Sequence, residues 1–223
     1  MSGPLHVFVD FDGTITHPDT LRVLTERLGA GVEHYEATGK LLRAGSITLR
    51  DGIERDMRGI GVGFAEAAAV LLTHVTVDVG FGRLARWCGA RRVPLTVLSG
   101  GFEEIVDLFL VRSELPAVDV SANRFRAGSW ECIFRDASPA GNDKAAVVAA
   151  ARAGGRNTVL VGDGFSDEAA AAVADLVYAK HRLAAWCRRE GVACEEFETL
   201  TDVLESLARR VNGGPRGEES ASG

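Results

Sequence analysis

Residues 5 to 14, Leu-His-Val-Phe-Val-Asp-Phe-Asp-Gly-Thr, constrain this chain more than any other stretch. Leu5, Val7, Phe8 and Val9 make a short, β-branched apolar run, the pattern of a strand buried on both faces of a parallel sheet. Asp10 and Asp12 follow, two residues apart, so their side chains project to the same side at the strand's carboxyl end. Asp12-Gly13 then turns the chain away. Ligands of open α/β sheets bind just beyond the carboxyl ends of strands. Two carboxylates there repel each other unless a cation or a shared proton intervenes. On these ten residues alone, the alternative is a core strand closed by an ordinary Asp-Gly turn.

Downstream, Leu21, Leu24 and Leu28 fall at helical spacing over Thr20 to Leu28, and Gly29 ends the run. His34 to Arg43 reads as a second helix. Ile47, Leu49, Ile53 and Met57 mark a third, with Ser46 as its cap, and the alanine-rich stretch Phe64 to Leu72 is a fourth. Residues 16–78 therefore read as a helical insert without a strand.

From Gly80 helices and strands alternate. Helix Phe81 to Ala90 precedes strand Val93 to Leu98, which ends in Ser99-Gly100-Gly101, and helix Phe102 to Val111 follows. Val118 to Arg126 and Trp130 to Phe134 read as an edge hairpin. Asn142 caps an alanine-rich helix, and strand Thr158 to Val161 leads into helix Ser166 to Ala174. Strand Leu176 to Ala179 and helices His181 to Glu190 and Leu200 to Val211 complete the pattern. Such alternation predicts an α/β fold with a parallel sheet between helices. The expected organisation is a core of residues 1–15 and 79–211, a small helical cap of 16–78 inserted after the first strand, and a disordered tail of 212–223 that lacks apolar anchors.

A formal net charge of −6 argues against a general nucleic-acid or membrane-surface binder. No apolar run approaches the roughly 18 residues of a membrane span. Cys88, Cys132, Cys187 and Cys194 are scattered with no CxxC pair, which disfavours zinc and a disulfide framework. With no signal-peptide layout at the amino terminus, the cytoplasm is the expected compartment.

Several predicted strand ends carry polar residues. Besides Asp10 and Asp12 there are Ser99, then Asp163 with Asp167 one helical turn later, and Lys144 at the start of its helix. Asp10 and Asp163 brought together form a hard oxygen site suited to Mg2+. A serine hydroxyl with free backbone N–H groups at a helix start cradles phosphate. Metal and lysine would offset the repulsion between an attacking carboxylate and a phosphate.

Asp10-Phe11-Asp12-Gly13-Thr14 resembles the first motif of the haloacid dehalogenase superfamily, and Ser99, Lys144 and Gly162-Asp163-Gly164-Phe165-Ser166-Asp167 resemble its second, third and fourth. The resemblance spans nearly the whole chain and implies a Rossmann-like core. It implies that Asp10 is a nucleophile forming an aspartyl-phosphate and that Asp12 exchanges protons with the leaving alcohol and the hydrolytic water. It further implies that Ser99, Gly100 and Lys144 hold the phosphoryl group. Asp10, the Asp12 carbonyl and Asp163 would bind Mg2+, with Asp167 supporting the metal and lysine. Asp12 favours a phosphatase over a dehalogenase, since the dehalogenases of the superfamily lack an acid there. The position of the insert is similar to the cap of the phosphoserine phosphatase-like branch, which implies a small phosphorylated metabolite as substrate. Val79-Gly80-Phe81, Ser99 to Phe102 and Tyr178 to Cys187 resemble methylthio-ketopentenyl-phosphate phosphatases within that branch, and phosphocholine-type phosphatases look similar too.

Some positions keep two readings. Asp19 could meet a substrate ammonium or cap the helix starting at Thr20. Arg55 and Arg58 could meet a substrate carboxylate or belong to a solvated face. A phosphotransferase using the same intermediate and a catalytically silent binding or regulatory module are the rival functions. The insert offers a surface for a homodimer.

Overall fold

The computed structural model describes residues 3–112 and 118–212. Its strands are β1 (Leu5–Val9), β2 (Thr16–His17), β3 (Thr76–Val77), β4 (Leu95–Phe102), β5 (Asp119–Phe125), β6 (Cys132–Ile133), β7 (Asn157–Gly162), β8 (Leu176–Ala179) and β9 (Glu195–Glu196). Seven of them form one sheet in the order β6-β5-β4-β1-β7-β8-β9, parallel except for the β5–β6 edge hairpin. β1 lies at its centre, pairing with β4 and β7 so that Val7 faces Leu95 on one side and Val159 on the other.

The helices are α1 (Thr20–Leu28), α2 (Val32–Arg43), α3 (Leu49–Met57), α4 (Phe64–His74), α5 (Val79–Ala90), α6 (Glu103–Arg112), α7 (Lys144–Ala153), α8 (Glu168–Ala171), α9 (His181–Glu190) and α10 (Leu200–Asn212). The two-residue period of the strands divides the core between the faces of the sheet. Val7, Val9, Val97, Val159 and Val161 pack with apolar residues of α5, α6 and α10. Phe8, Leu98 and Leu160 point the other way, onto α7, α8 and α9. Both faces being covered explains why β1 reads as a continuous apolar run. The first cluster continues through Phe11 and Ile15 to Val23, Leu24, Ile53, Met57 and Leu71 of the helical segment, so α1, α3 and α4 share the core of the sheet. The fold is a Rossmann-like α/β fold. Among the described residues no helix is long and apolar enough to cross a membrane.

Several local expectations are corrected. β2 and β3 pair antiparallel at the two ends of the segment read as strand-free; two residues each are too few to show alternation. Thr48, not Ser46, caps α3: its hydroxyl accepts from Asp51 N at 3.1 Å while Asp51 Oδ2 accepts from Thr48 N at 2.9 Å. Asp143, not Asn142, caps α7. β4 runs on through Ser99-Gly100-Gly101, with its register against β5 shifting between Leu98 and Phe102. The helix expected over 166–174 is a 3-10 turn, Phe165–Asp167, followed by the short α8. α10 includes Asn212, and the rest of the expected tail lies outside the described residues.

Candidate active site

Because β1, β4 and β7 are parallel neighbours, their carboxyl ends meet at one edge of the sheet. That edge brings together Asp10 after β1, Ser99 in β4 and Asp163 after β7. Lys144, the first residue of α7, enters beneath them: its Nζ donates to Asp10 Oδ1 at 2.6 Å, to Asp167 Oδ1 at 2.7 Å and to Ser166 Oγ at 3.2 Å. Asp10, Lys144 and Asp167 are all buried. Asp167 Oδ2 accepts from the backbone N–H groups of Asp163 and Gly164, so both of its oxygens are engaged. Asp163 Oδ1 accepts from the Thr14 hydroxyl at 3.1 Å.

Asp12 is held from the other side. Its Oδ1 accepts from Thr20 N at 3.0 Å and from the Thr20 hydroxyl, and its Oδ2 accepts from Ser99 Oγ at 3.4 Å. Ser99 Oγ in turn accepts from Gly101 N at 2.8 Å. Asn142 ties the ends of β4 and β5 together by donating to Ser99 O at 2.8 Å and Ser121 O at 2.9 Å. Gly100 O accepts from Asn123 Nδ2 at 2.8 Å.

This packing concentrates negative charge. Burial, and then the charge of Asp167, pushes Asp10 up to about 7 despite Lys144. Burial and the nearby Asp19 raise Asp12 to about 7 against the hydrogen bonds from Thr20. Burial with Asp10 and Asp167 raises Asp163 to about 8. Burial works against the Lys144 charge, but Asp10 and Asp167 outweigh it and hold the ammonium above the ordinary lysine range. Carboxylate oxygens of Asp10, Asp163 and Asp167 lie within 4.8 Å of one another. A hard divalent cation fits such a donor set. The backbone makes room for the close approach: at Gly13, whose φ is +83°, a Cβ would sit 2.6 Å from Asp163 Oδ2, and at Gly162 one would sit 2.6 Å from Asp167 Oδ2.

A cavity of about 260 Å³ opens over this edge. Asp10, Asp12, Gly100, Gly101 and Asp163 form its floor; Tyr35, Thr38, Leu49, Ile53 and Asp56 of the helical segment line it as well. Asp19 caps α1, its Oδ1 accepting from Arg22 N at 2.9 Å, and it also lines the cavity. The structure does not bring Arg55 to the cavity: Arg55 on α3 and Arg58 just after its end are exposed. Thr14, Thr20, Asn142 and Asp56 are site residues that residue chemistry alone passed over. Asp56 carried a readable signal, because Leu49, Gly52, Ile53 and Asp56 recur at the spacing of one helix face.

Residues 7–172 match the haloacid dehalogenase-like hydrolase family. The polyol phosphate phosphatase PYP1 of Saccharomyces cerevisiae is 30% identical over 226 residues, covering 93% of this chain and 94% of the yeast protein. The 2-hydroxy-3-keto-5-methylthiopentenyl-1-phosphate phosphatase of Bacillus mycoides is 25% identical, covering 91% and 95%. Among solved structures, a phospho-aspartyl intermediate analogue of phosphoserine phosphatase has the same fold, with a TM-score of 0.70 at 18% identity, covering 92% of this chain and 99% of that one. With its four motifs gathered at the carboxyl edge of the sheet and matched over most of its length, the chain belongs to the haloacid dehalogenase-like hydrolase family.

Proposed function

We propose that the chain is a Mg2+-dependent phosphatase that hydrolyses a small phosphomonoester through an aspartyl-phosphate on Asp10. The observation that carries this reading is Lys144, buried and shared between Asp10 Oδ1 and Asp167 Oδ1 under the cavity floor. It fixes one Asp10 oxygen and leaves the other to attack phosphorus. The phosphatase names of the relatives support the reaction class.

In the first step the free Asp10 oxygen bonds to phosphorus as the ester P–O bond breaks, and Asp12 gives its proton to the departing alkoxide. Its value of about 7 suits a group that must carry a proton and then accept one near neutrality. In the second step Asp12 takes a proton from water, whose oxygen displaces the Asp10 carboxylate and releases phosphate. Thr20 and Ser99 orient Asp12 for both transfers. Ser99 and Lys144, with the backbone at Gly100, hold the phosphoryl oxygens. Mg2+ held by Asp10, Asp163 and the Asp12 carbonyl would supply the positive charge that lets a carboxylate approach a phosphate dianion.

The helical segment 16–78 acts as a cap over a core of 1–15 and 79–211, closing the cavity around a small metabolite and excluding bulk water. The enzyme would act in the cytoplasm. The test is phosphate release from a panel of small phosphomonoesters, with and without Mg2+, by wild type and Asp10→Asn. Release that needs Mg2+ and vanishes in the variant is expected; release surviving in the variant refutes Asp10 as nucleophile.

A further inference from the structure

The cap side of the cavity carries a buried charge that this chemistry does not use. Leu49, Gly52, Ile53 and Asp56 line the cavity along one face of α3, and the last of them is a carboxylate only 7% exposed. Asp56 Oδ1 accepts from the Thr38 hydroxyl at 2.8 Å and lies 3.3 Å from His34 Nε2. Both neighbours address the same oxygen; among the described residues none donates to Oδ2. Asp56 lines the cavity, so this oxygen is left to accept from a donor on whatever occupies it. The surroundings favour donors in the same way. Asp19 lines the cavity, and burial together with the carboxylates of Asp19, Asp12 and Asp56 keeps the Tyr35 phenol protonated.

Resting on the phosphatase reading, we propose that Asp56 determines specificity: it accepts a hydrogen bond from a hydroxyl or ammonium of the leaving group and rejects esters whose leaving group carries a carboxylate. Two arginines also line the cavity, but they do not reverse its preference. Arg43 and Arg182 are exposed, and Arg182 is paired with Glu168 at 3.2 Å and lies over the Phe165 ring. Charges in water are screened, whereas the buried Asp56 carboxylate is screened far less. Like charges brought together in a closed site oppose binding strongly.

The experiment uses two pairs of esters that differ by a carboxylate: phosphoethanolamine against phosphoserine, and glycerol phosphate against phosphoglycerate. kcat/KM is measured with Mg2+ for wild type and Asp56→Asn, with an aryl phosphate as reference ester. Wild type is expected to favour the carboxylate-free member of each pair by about tenfold or more. The asparagine, similar in shape and uncharged, should cut that preference by about tenfold, chiefly by improving the carboxylate esters. Whichever carboxylate-free ester wins, the proposal stands, and the winner assigns the donor to hydroxyl or ammonium. A wild-type ratio near one overturns it, as does an unchanged ratio in a variant that melts like wild type. If the variant does not fold, the wild-type ratios alone decide. Wild type that releases phosphate from no ester, the aryl reference included, overturns the phosphatase reading itself and the inference with it.

Discussion

Replacing Lys144 by methionine tests the electrostatics of the site directly. Methionine keeps an unbranched, flexible stem at the start of α7 and removes the ammonium that Asp10 and Asp167 share at 2.6 and 2.7 Å. Breaking a buried ion pair by deleting one partner costs about 3–5 kcal/mol, and here two carboxylates lose the same partner. With a urea m-value of about 2 kcal/mol per M, the unfolding midpoint near pH 8 should fall by about 2 M. The sign of the pH dependence follows from Asp10. Its folded value, about 7, already lies above the unfolded value of about 4, and losing Lys144 raises it further. Below the unfolded value both states carry the proton and the orphaned carboxylate costs nothing. As pH rises from there towards the raised folded value, the unfolded chain binds fewer protons than the folded one and stability falls. Both proteins lose stability in parallel up to the wild-type value of about 7, so the gap between them should be small near about pH 5 and open as pH rises past 7, so that it is larger near about pH 8, measured in EDTA. Equal gaps at both pH values would mean that packing dominates, and no gap at the higher pH would refute the buried-pair accounting.

Two further substitutions test the supports of the site. Gly13→Ala places a Cβ 2.6 Å from Asp163 Oδ2 at a φ of +83°. It should cost about 1–3 kcal/mol of stability and weaken Mg2+ binding by about tenfold or more in calorimetry; unchanged Mg2+ affinity would remove Asp163 from the metal site. Asn142→Ala leaves the Ser99 and Ser121 carbonyls without their shared donor. About 2–4 kcal/mol should be lost, seen as a fall in Tm, with KM rising as Ser99 loosens; a Tm equal to that of wild type would show that the strand ends need no tie.

The central strand and its acids were legible because a buried parallel strand is written in adjacent apolar residues, and nothing else in the first ten positions competes with that pattern. α1 and α9 follow the sequence reading from end to end because glycine stops and apolar spacing agree there. The ribbon β2–β3 and the edge strand β9 were not legible, since two residues such as Glu195-Glu196 carry no period and pair only because a neighbour is in reach. Ser46 and Thr48 are equally good caps by type. What selects Thr48 is Asp51 three residues on, which returns the bond. Arg55 against Asp56 is the instructive case. Choosing the residue by the charge a carboxylate substrate would want pointed to 55, whereas the helical phase of Leu49, Gly52 and Ile53 points to 56. Phase decides what faces a cavity; residue type decides only what it does there.

The same distinction explains why the acids at the sheet edge are raised together. Asp10, Asp12, Asp163 and Asp167 are set by backbone positions at the ends of β1 and β7, and one ammonium, Lys144, is built in among them. Lys144, with the buried Lys180 also acting on Asp163, does not offset four carboxylates, so burial drives Asp10, Asp12 and Asp163 towards neutral pH and above it. A stable fold gains nothing from such an excess, since buried uncompensated charge is destabilising. In the proposed reaction the excess has a use: a cation between Asp10 and Asp163, a phosphoryl group against Lys144 and Ser99, and a proton on Asp12 would offset it. Each would relieve a different part of the charge, and each would match one requirement of the proposed transfer of phosphorus from an alcohol to a carboxylate and then to water.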